Sequence, residues 1–360
     1  MFFIRKKKPY PEREYPIMQQ PALEPNRYQR AQMERRFGMF IHFGINTFYN
    51  TEWSNGRLPI RDYCPTAIDA DSWVRTAYEA GMNYVILITK HHDGFCLWDT
   101  RTTSYSVRYS PNPTDVVRAV SEACRKYGIR LGLYYSLWDR HKRCYRNREK
   151  YVCYMERQLA ELLDGRYGEI VELWLDGAWN KPCRAWRLDR LYDHVKRLQP
   201  ACQIGVNHTV GEYLEKKGGP DPRYQPQNCR ERDPLRMFPS DFRLWDPYMC
   251  REDDPKIYTF NGKEYYLPFE MTICSRKEFS WLYSDTYERK PLMDAEEIVR
   301  NYRILEKAGN MMVINLPPDL NGKLVPGDVE NLMHVSEALG LRRSDIRKES
   351  PEEGDFPMAY

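Results

Sequence analysis

The stretch NYVILITKHHDGFCLWDT occupies residues 83–100. Its first part, NYVILITK, is apolar along nearly its whole length, and a polar cluster, His91-His92-Asp93-Gly94, follows at once. A run that apolar predicts a strand buried on both faces, as in a parallel sheet covered by helices. The polar cluster places candidate functional groups at the strand's C-terminal end. Adjacent side chains on a strand point to opposite faces, so a kink after Lys90 is needed if both histidines are to face one ligand.

The same unit recurs outward from this stretch. Strands are predicted at GMFIHFG (38–44), IRLGLYYS (129–136), EIVELWLDG (169–177), CQIGVNH (202–208), LPFEMTIC (267–274) and NMMVINLPP (310–318), with DFRLWD (241–246) as a short one. Helices are predicted at 69–81, 112–128, 147–165, 183–199, 294–309 and 325–340 from apolar spacing, Asp or Asn starts and Gly stops. Eight strands alternating with helices over about 300 residues fit a closed (β/α)8 TIM-like barrel. No Gly-x-Gly-x-x-Gly follows the first strand, which argues against a doubly wound dinucleotide fold. The expected organisation is an extended N-terminal arm over 1–35, a catalytic barrel over 36–340 with an irregular insertion at about 209–267, and a tail over 341–360, without an evident C-terminal β-sandwich.

The totals narrow the function classes. The 360 residues carry 55 basic and 51 acidic side chains, a net charge of +4 that gives no case for nucleic acid. Nine Trp and 27 Tyr are a heavy load of flat, amphipathic side chains, which pack cores and also line sugar clefts. The ten cysteines include no Cys-x-x-Cys pair, so they read as free thiols in a reducing compartment. No secretory signal and no apolar stretch of transmembrane length is seen. These features predict a cytoplasmic protein that does not engage a membrane; assembly into a homo-oligomer stays open.

In a barrel of this kind, active sites lie at the C-terminal ends of the strands. His42 ends the first apolar run, with Glu52 and Trp53 following. His91 and His92 end the second, Tyr134 the third, Trp174 and Asp176 the fourth, and Asn207 the fifth; Glu270 lies in the seventh, before Trp281. A metal site is disfavoured, because His42 is alone on its strand and adjacent histidines do not put two ligands on one face. Pocket-wall histidines contacting ligand hydroxyls suit the spacing better. Asp176 precedes Gly177, so the chain can turn away and leave the carboxylate exposed. That is compatible with a glycosidase nucleophile and equally with a turn or helix-capping aspartate.

With these residues assembled, the sequence resembles the retaining α-L-fucosidases of glycoside hydrolase family 29. The resemblance runs from about 36 to 340 and rests on RFGMFIHFGINTF, TEWSNG, KHHDGFCLWDT, LGLYYSLWD, LWLDG, FEMTICSRKEFSWLYSD and NMMVINLPPDLNGKL. It implies hydrolysis of an α-L-fucosylated oligosaccharide or glycoconjugate with no cofactor and no metal. Asp176 matches the catalytic nucleophile. His42, His91, His92, Tyr134 and Trp174 match the ring that holds fucose hydroxyls, Glu52 and Trp53 a loop that closes over the sugar, and Trp281 a platform near the fucose methyl.

For the general acid/base, Asp246 sits where one branch of the family has a Glu, and Glu270 matches a nearby acidic position. Glu231 and Glu252 lie in the same irregular region. The Arg that follows the fifth-strand Asn in many relatives is replaced by His208, and Arg223 is the candidate substitute. Two other readings share the resemblance: a fucose-binding relative with little or no turnover, and a glycosidase for a different sugar.

Overall fold

The computed structural model describes residues 19–211, 213–214, 219–220, 224, 226–246 and 251–343. Twelve strands and seven α-helices follow in chain order. Helix α1 (Arg27–Arg35) leads into β1 (Phe37–Ile41). Then come α2 (Ala70–Glu79), β2 (Tyr84–Lys90), α3 (Val116–Tyr127), β3 (Arg130–Ser136), α4 (Arg148–Leu163), β4 (Ile170–Asp176), α5 (Leu188–Leu198) and β5 (Gln203–Asn207). Short strands β6 (Tyr213–Leu214) and β7 (Gly219–Pro220) precede β8 (Phe242–Leu244), β9 (Ile257–Phe260), β10 (Lys263–Tyr266) and β11 (Phe269–Cys274). Helix α6 (Ala295–Lys307), strand β12 (Met311–Asn315) and helix α7 (Pro326–Leu339) are the last elements among the described residues.

Eight of these strands close into a barrel in the order β1-β12-β11-β8-β5-β4-β3-β2. Every neighbouring pair in it is parallel. The fold is therefore the (β/α)8 barrel that the strand–helix rhythm predicts. Strands β1, β2, β4, β5, β11 and β12 are buried along their whole length, because one face packs inside the barrel and the other under helices. The helices start where acidic or amide caps satisfy their first N–H groups. Asp69 accepts from Ser72 N at 3.2 Å, Asp115 from Arg118 N at 2.9 Å and Asn147 from Lys150 N at 3.1 Å.

Two parts differ from the sequence reading. Residues 27–35, expected as part of an extended arm, are helix α1, entered through a capping box in which Asn26 and Gln29 bond each other's backbone N–H. The helix lies across the N-terminal end of the barrel. Arg35 pairs with the buried Glu172 at 2.8 Å, and Gln29 Nε2 donates to the carbonyls of Asp241 and Tyr266, both at 2.7 Å. The described part of the insertion also holds regular structure that its Pro-rich sequence does not suggest. Strands β9 and β10 form a hairpin over a second small core of Val210, Cys229, Leu235, Phe238, Tyr258, Tyr265 and Leu267.

No helix among the described residues is long and apolar enough to cross a membrane.

Candidate active site

Alternation along each strand decides which side chains enter the barrel. On β4, Glu172, Trp174 and Asp176 share one face, as do Phe40 on β1 and His42 just past its end. These faces stack layers from the helix-plugged end up to the mouth. The top layer opens into a small, aromatic-walled cup at the mouth of the barrel. His42, His91, His92, Tyr134, Trp174, Asp176, Asp246, Trp53 and Trp281 all line it, joined by Phe40 and Trp179.

Both adjacent histidines reach this cup. The pairing register of β2 with β3 shifts between Ile88 and Lys90, a bulge that re-aims the chain at the strand end. His91 and His92 then lie past the last strand residue, freed from strict alternation, with ring centroids 4.2 Å apart. Lys90 is drawn the other way, into a buried cage of Tyr135, Tyr151 and Tyr154 beside Asp139.

Asp176 ends β4, and the next residue must be glycine. Gly177 has φ +74°, and a Cβ there would lie 2.8 Å from Trp138 Cβ and 3.0 Å from His92 Nδ1. The turn leaves the carboxylate at the floor of the cup. Tyr134 Oη donates to its Oδ2 at 2.7 Å and Asn207 Nδ2 to its Oδ1 at 2.9 Å. The same Asn207 amide also donates to Asp246 Oδ1. Two oxygens held by one nitrogen lie within about 6 Å of each other.

This geometry pushes the two acids unequally. Burial raises both above the usual carboxylate range. For Asp176 the rise is opposed by Tyr134, Asn207, the Gly177 N–H and His208. Asp246 is pushed up to about 7, by burial first and then by the charge of Asp176, with Asn207 as its side-chain donor. Asp176 thus has the larger set of groups favouring its ionised form, and Asp246 is the acid that holds a proton near neutrality.

The histidines are neutral. Burial and then the neighbouring His91 hold His42 well below its ordinary value, and burial followed by His92 does the same to His91. His92 is lowered to about 3, chiefly by burial. Their partners fix which nitrogen is bare. Asn315 Nδ2 donates to the Trp281 carbonyl at 2.8 Å, which turns its Oδ1 to His42 Nδ1 at 2.7 Å. His42 therefore carries its proton on Nδ1 and offers Nε2 as an acceptor. Ser136 Oγ donates to the Trp138 carbonyl at 2.7 Å, so it accepts from His92 Nδ1 at 2.7 Å. The bare His92 Nε2 then faces Asp176 Oδ2 at 3.6 Å. Two acceptors so placed are suited to a ligand that brings hydroxyl donors.

Other predicted residues lie elsewhere. Glu52 does not line the cup. Its carboxylate accepts the backbone N–H of Trp281 at 3.0 Å and of Leu282 at 3.2 Å, anchoring the Trp281 loop. Burial raises it to about 7, against the pull of those two N–H groups and of Lys290.

Glu270 is the second residue of β11, about 13 Å along the strand from its mouth end. It accepts from Tyr84 Oη at 2.7 Å and from Trp174 Nε1 at 3.0 Å, beneath the cup floor. Trp174 stands between Glu270 and the cup, which removes Glu270 as a proton donor to anything bound there. Glu231 and Glu252 are exposed on the insertion, where Glu252 pairs with Lys307 at 2.5 Å. Arg223 falls outside the described residues.

Phe40 and Trp179 line the cup without having been assigned to it from sequence, and Asn207, placed only at a strand end, is given no role by the sequence. Phe40 could have been found from its position two residues before His42, on the same strand face. Asn207 is polar at a strand end, but nothing in the sequence says that it bridges two acids. No group of three or more His, Cys, Asp or Glu among the described residues is arranged to hold a metal ion.

Comparison with known proteins identifies the family. A family model described as Alpha-L-fucosidase matches residues 11–341. Alpha-L-fucosidase 1 of Arabidopsis thaliana is 32% identical over 92% of this chain and 62% of its own length. The tissue alpha-L-fucosidase of Homo sapiens is 23% identical over 88% of this chain and 69% of its own. A glycoside hydrolase 29 family member from an unknown rumen bacterium superposes with a TM-score of 0.72 at 26% identity, over 88% of this chain and 57% of that one. The chain thus spans about three fifths of the length of the Arabidopsis relative and of the rumen structure.

Proposed function

This chain belongs to the alpha-L-fucosidase family, and from that premise we propose that it hydrolyses terminal α-L-fucosides with retention of configuration, Asp176 as nucleophile and Asp246 as acid/base. The observation that carries the reading is the Asn207 amide donating to both carboxylates. Retaining glycosidases hold their two carboxyl groups about 5–5.5 Å apart, inverting ones about 6.5–9.5 Å. A pair bridged by one nitrogen favours the shorter class.

In the first step an oxygen of Asp176 attacks the anomeric carbon. The glycosidic C–O bond breaks, and the Asp246 carboxyl gives its proton to the departing oxygen. The product is a fucosyl ester on Asp176. Esterification removes the Asp176 charge that had helped raise Asp246. Asp246, now ionised, has a lower proton affinity and stays poised as a base. In the second step it takes a proton from water, the water oxygen attacks the anomeric carbon, and the ester bond breaks to restore both acids.

His42, His92 and Tyr134 meet the sugar hydroxyls. Phe40, Trp174 and Trp281 give the cup an apolar side that suits the C5 methyl of a 6-deoxy sugar. The substrate class is an exo-presented fucose on an oligosaccharide or glycoconjugate. The nine described cysteines are all free, which favours a reducing compartment such as the cytoplasm.

The test is hydrolysis of an aryl α-L-fucoside followed by NMR. The reading predicts α-L-fucose as the first-formed anomer. β-L-fucose first, or no turnover by protein that binds fucose, contradicts it.

A further inference from the structure

Four tryptophans, Trp73, Trp98, Trp174 and Trp186, are fully buried. Of those that are not buried, three gather at one place. Trp53 is 51% exposed, and Trp138 and Trp179 are half-buried. They come from three different loops, after β1, β3 and β4. Trp53 and Trp179 lie near-parallel at 23° with centroids 6.2 Å apart, and Trp138 meets Trp53 edge-on at 5.8 Å and Trp179 at 6.4 Å. Exposed apolar area so concentrated beside a cleft marks a contact surface.

The cluster is held from behind. His92 packs against all three indoles, at 5.6 Å from Trp53, 5.3 Å from Trp138 and 5.3 Å from Trp179. The Arg140 guanidinium lies 5.1 Å from the Trp138 ring. Beyond Trp179 the aromatic band continues through His208 at 5.4 Å to Trp245 at 4.5 Å, the residue before Asp246. It therefore runs along the side of the cup that carries both acids. The opposite side, where Trp281 packs on His42 at 5.2 Å, is separate from it. Trp138 does not line the cup, so the band extends past the space for one sugar.

We propose that Trp53, Trp138 and Trp179 form a leaving-group subsite that takes the flat face of a ring, the C–H face of a pyranose or the π face of an aryl group. The inference rests on the fucoside-hydrolase reading above. The lip recognises the leaving group by stacking; a substrate whose leaving group is a single atom meets only the cup-facing edges of Trp53 and Trp179 and does not reach Trp138.

The experiment compares kcat/KM for α-L-fucosyl fluoride, an aryl α-L-fucoside and a fucosyl-galactose disaccharide in the wild type, Trp138→Ala and Trp179→Ala. The fluoride reports the fold and the chemistry, and the ratio of each ring substrate to it reports the lip. A stacked ring is worth enough that the ratio falls about tenfold in the alanine variants. It stays within about threefold in Trp138→Phe and Trp179→Phe, which keep a ring. Should an alanine variant not fold, Trp53→Ala, at the most exposed position of the three, gives the same ratio test. A fall for both ring substrates assigns sugar and aryl groups to the lip, and a fall for one assigns that one. Ratios unchanged in every alanine variant overturn the subsite. Wild-type protein inert to the fluoride overturns the hydrolase reading instead.

Discussion

Trp174 Nε1 donates to Glu270 Oε1 at 3.0 Å, tying the floor of the cup to a carboxyl in the layer below. Burial, and then the adjacent Glu172, push Glu270 well above the ordinary carboxylate range, which favours its protonated form. Its task is to hold Trp174 flat under the sugar, not to move protons at the mouth. Glu270→Gln keeps a neutral group of the same shape, and its kcat stays within about threefold of wild type on every leaving group. Glu270→Ala strands the indole N–H and costs about 1–3 kcal/mol of stability, read as a lower denaturation midpoint. Selective loss of Glu270→Gln turnover on poor leaving groups would restore Glu270 as the acid.

On the proposed mechanism, Asp246 sets the alkaline limb of the pH profile. Its carboxyl must be protonated for the first step, and it loses that proton at about 7. kcat/KM therefore falls as pH rises through about 7. Because the Asp176 charge is one cause of the high value, Asp176→Asn lowers it, and a carboxyl-carbon NMR titration of Asp246 moves to lower pH. A titration unmoved by that substitution contradicts the coupling.

The same group makes stability depend on pH. Asp246 ionises near 4 in the unfolded chain and at about 7 when folded. The native state binds the extra proton between these values, so this contribution is fully present below about 4 and is lost as pH rises through about 7. Asp246→Asn, which mimics the protonated form, gains in Tm relative to wild type at pH 8 compared with pH 4. An equal Tm difference at both pH values contradicts this.

Most of the barrel is legible from sequence because its strands are apolar on both faces and its helices carry caps and glycine stops. Helix α1 is not legible. Its residues RYQRAQMER are nearly all polar, and the two that it buries, Gln29 and Gln32, are polar too, so no apolar stripe marks it. It is placed by long-range bonds to Glu172, Asp241 and Tyr266 that no local pattern records. The site divides the same way. Strand ends reveal His42, His91, Tyr134 and Asp176. Depth along a strand is what separates Asp246 from Glu270, and it emerges only when the layers are stacked. Glu52 has the right loop and the wrong partner, two backbone N–H groups across the cup wall.

The proposed function predicts that sugar choice rests on the apolar side of the cup formed by Phe40, Trp174 and Trp281. An α-L-galactoside differs from the fucoside by one hydroxyl at C6. Burying that hydroxyl against aromatic faces costs about 1–3 kcal/mol, or roughly ten- to a hundredfold in kcat/KM. Paired rate measurements with a common leaving group check it, and equal rates contradict the assignment of that wall to the methyl.

The account depends on a covalent bond between Asp176 and the sugar. A 2-fluoro-fucosyl fluoride slows the second step more than the first, so the ester accumulates and can be located by peptide mass spectrometry. The predicted result is one fluorofucosyl group per chain on Asp176, and no label in Asp176→Ala. Label on any other side chain, or none in protein that turns over aryl fucosides, would contradict the account.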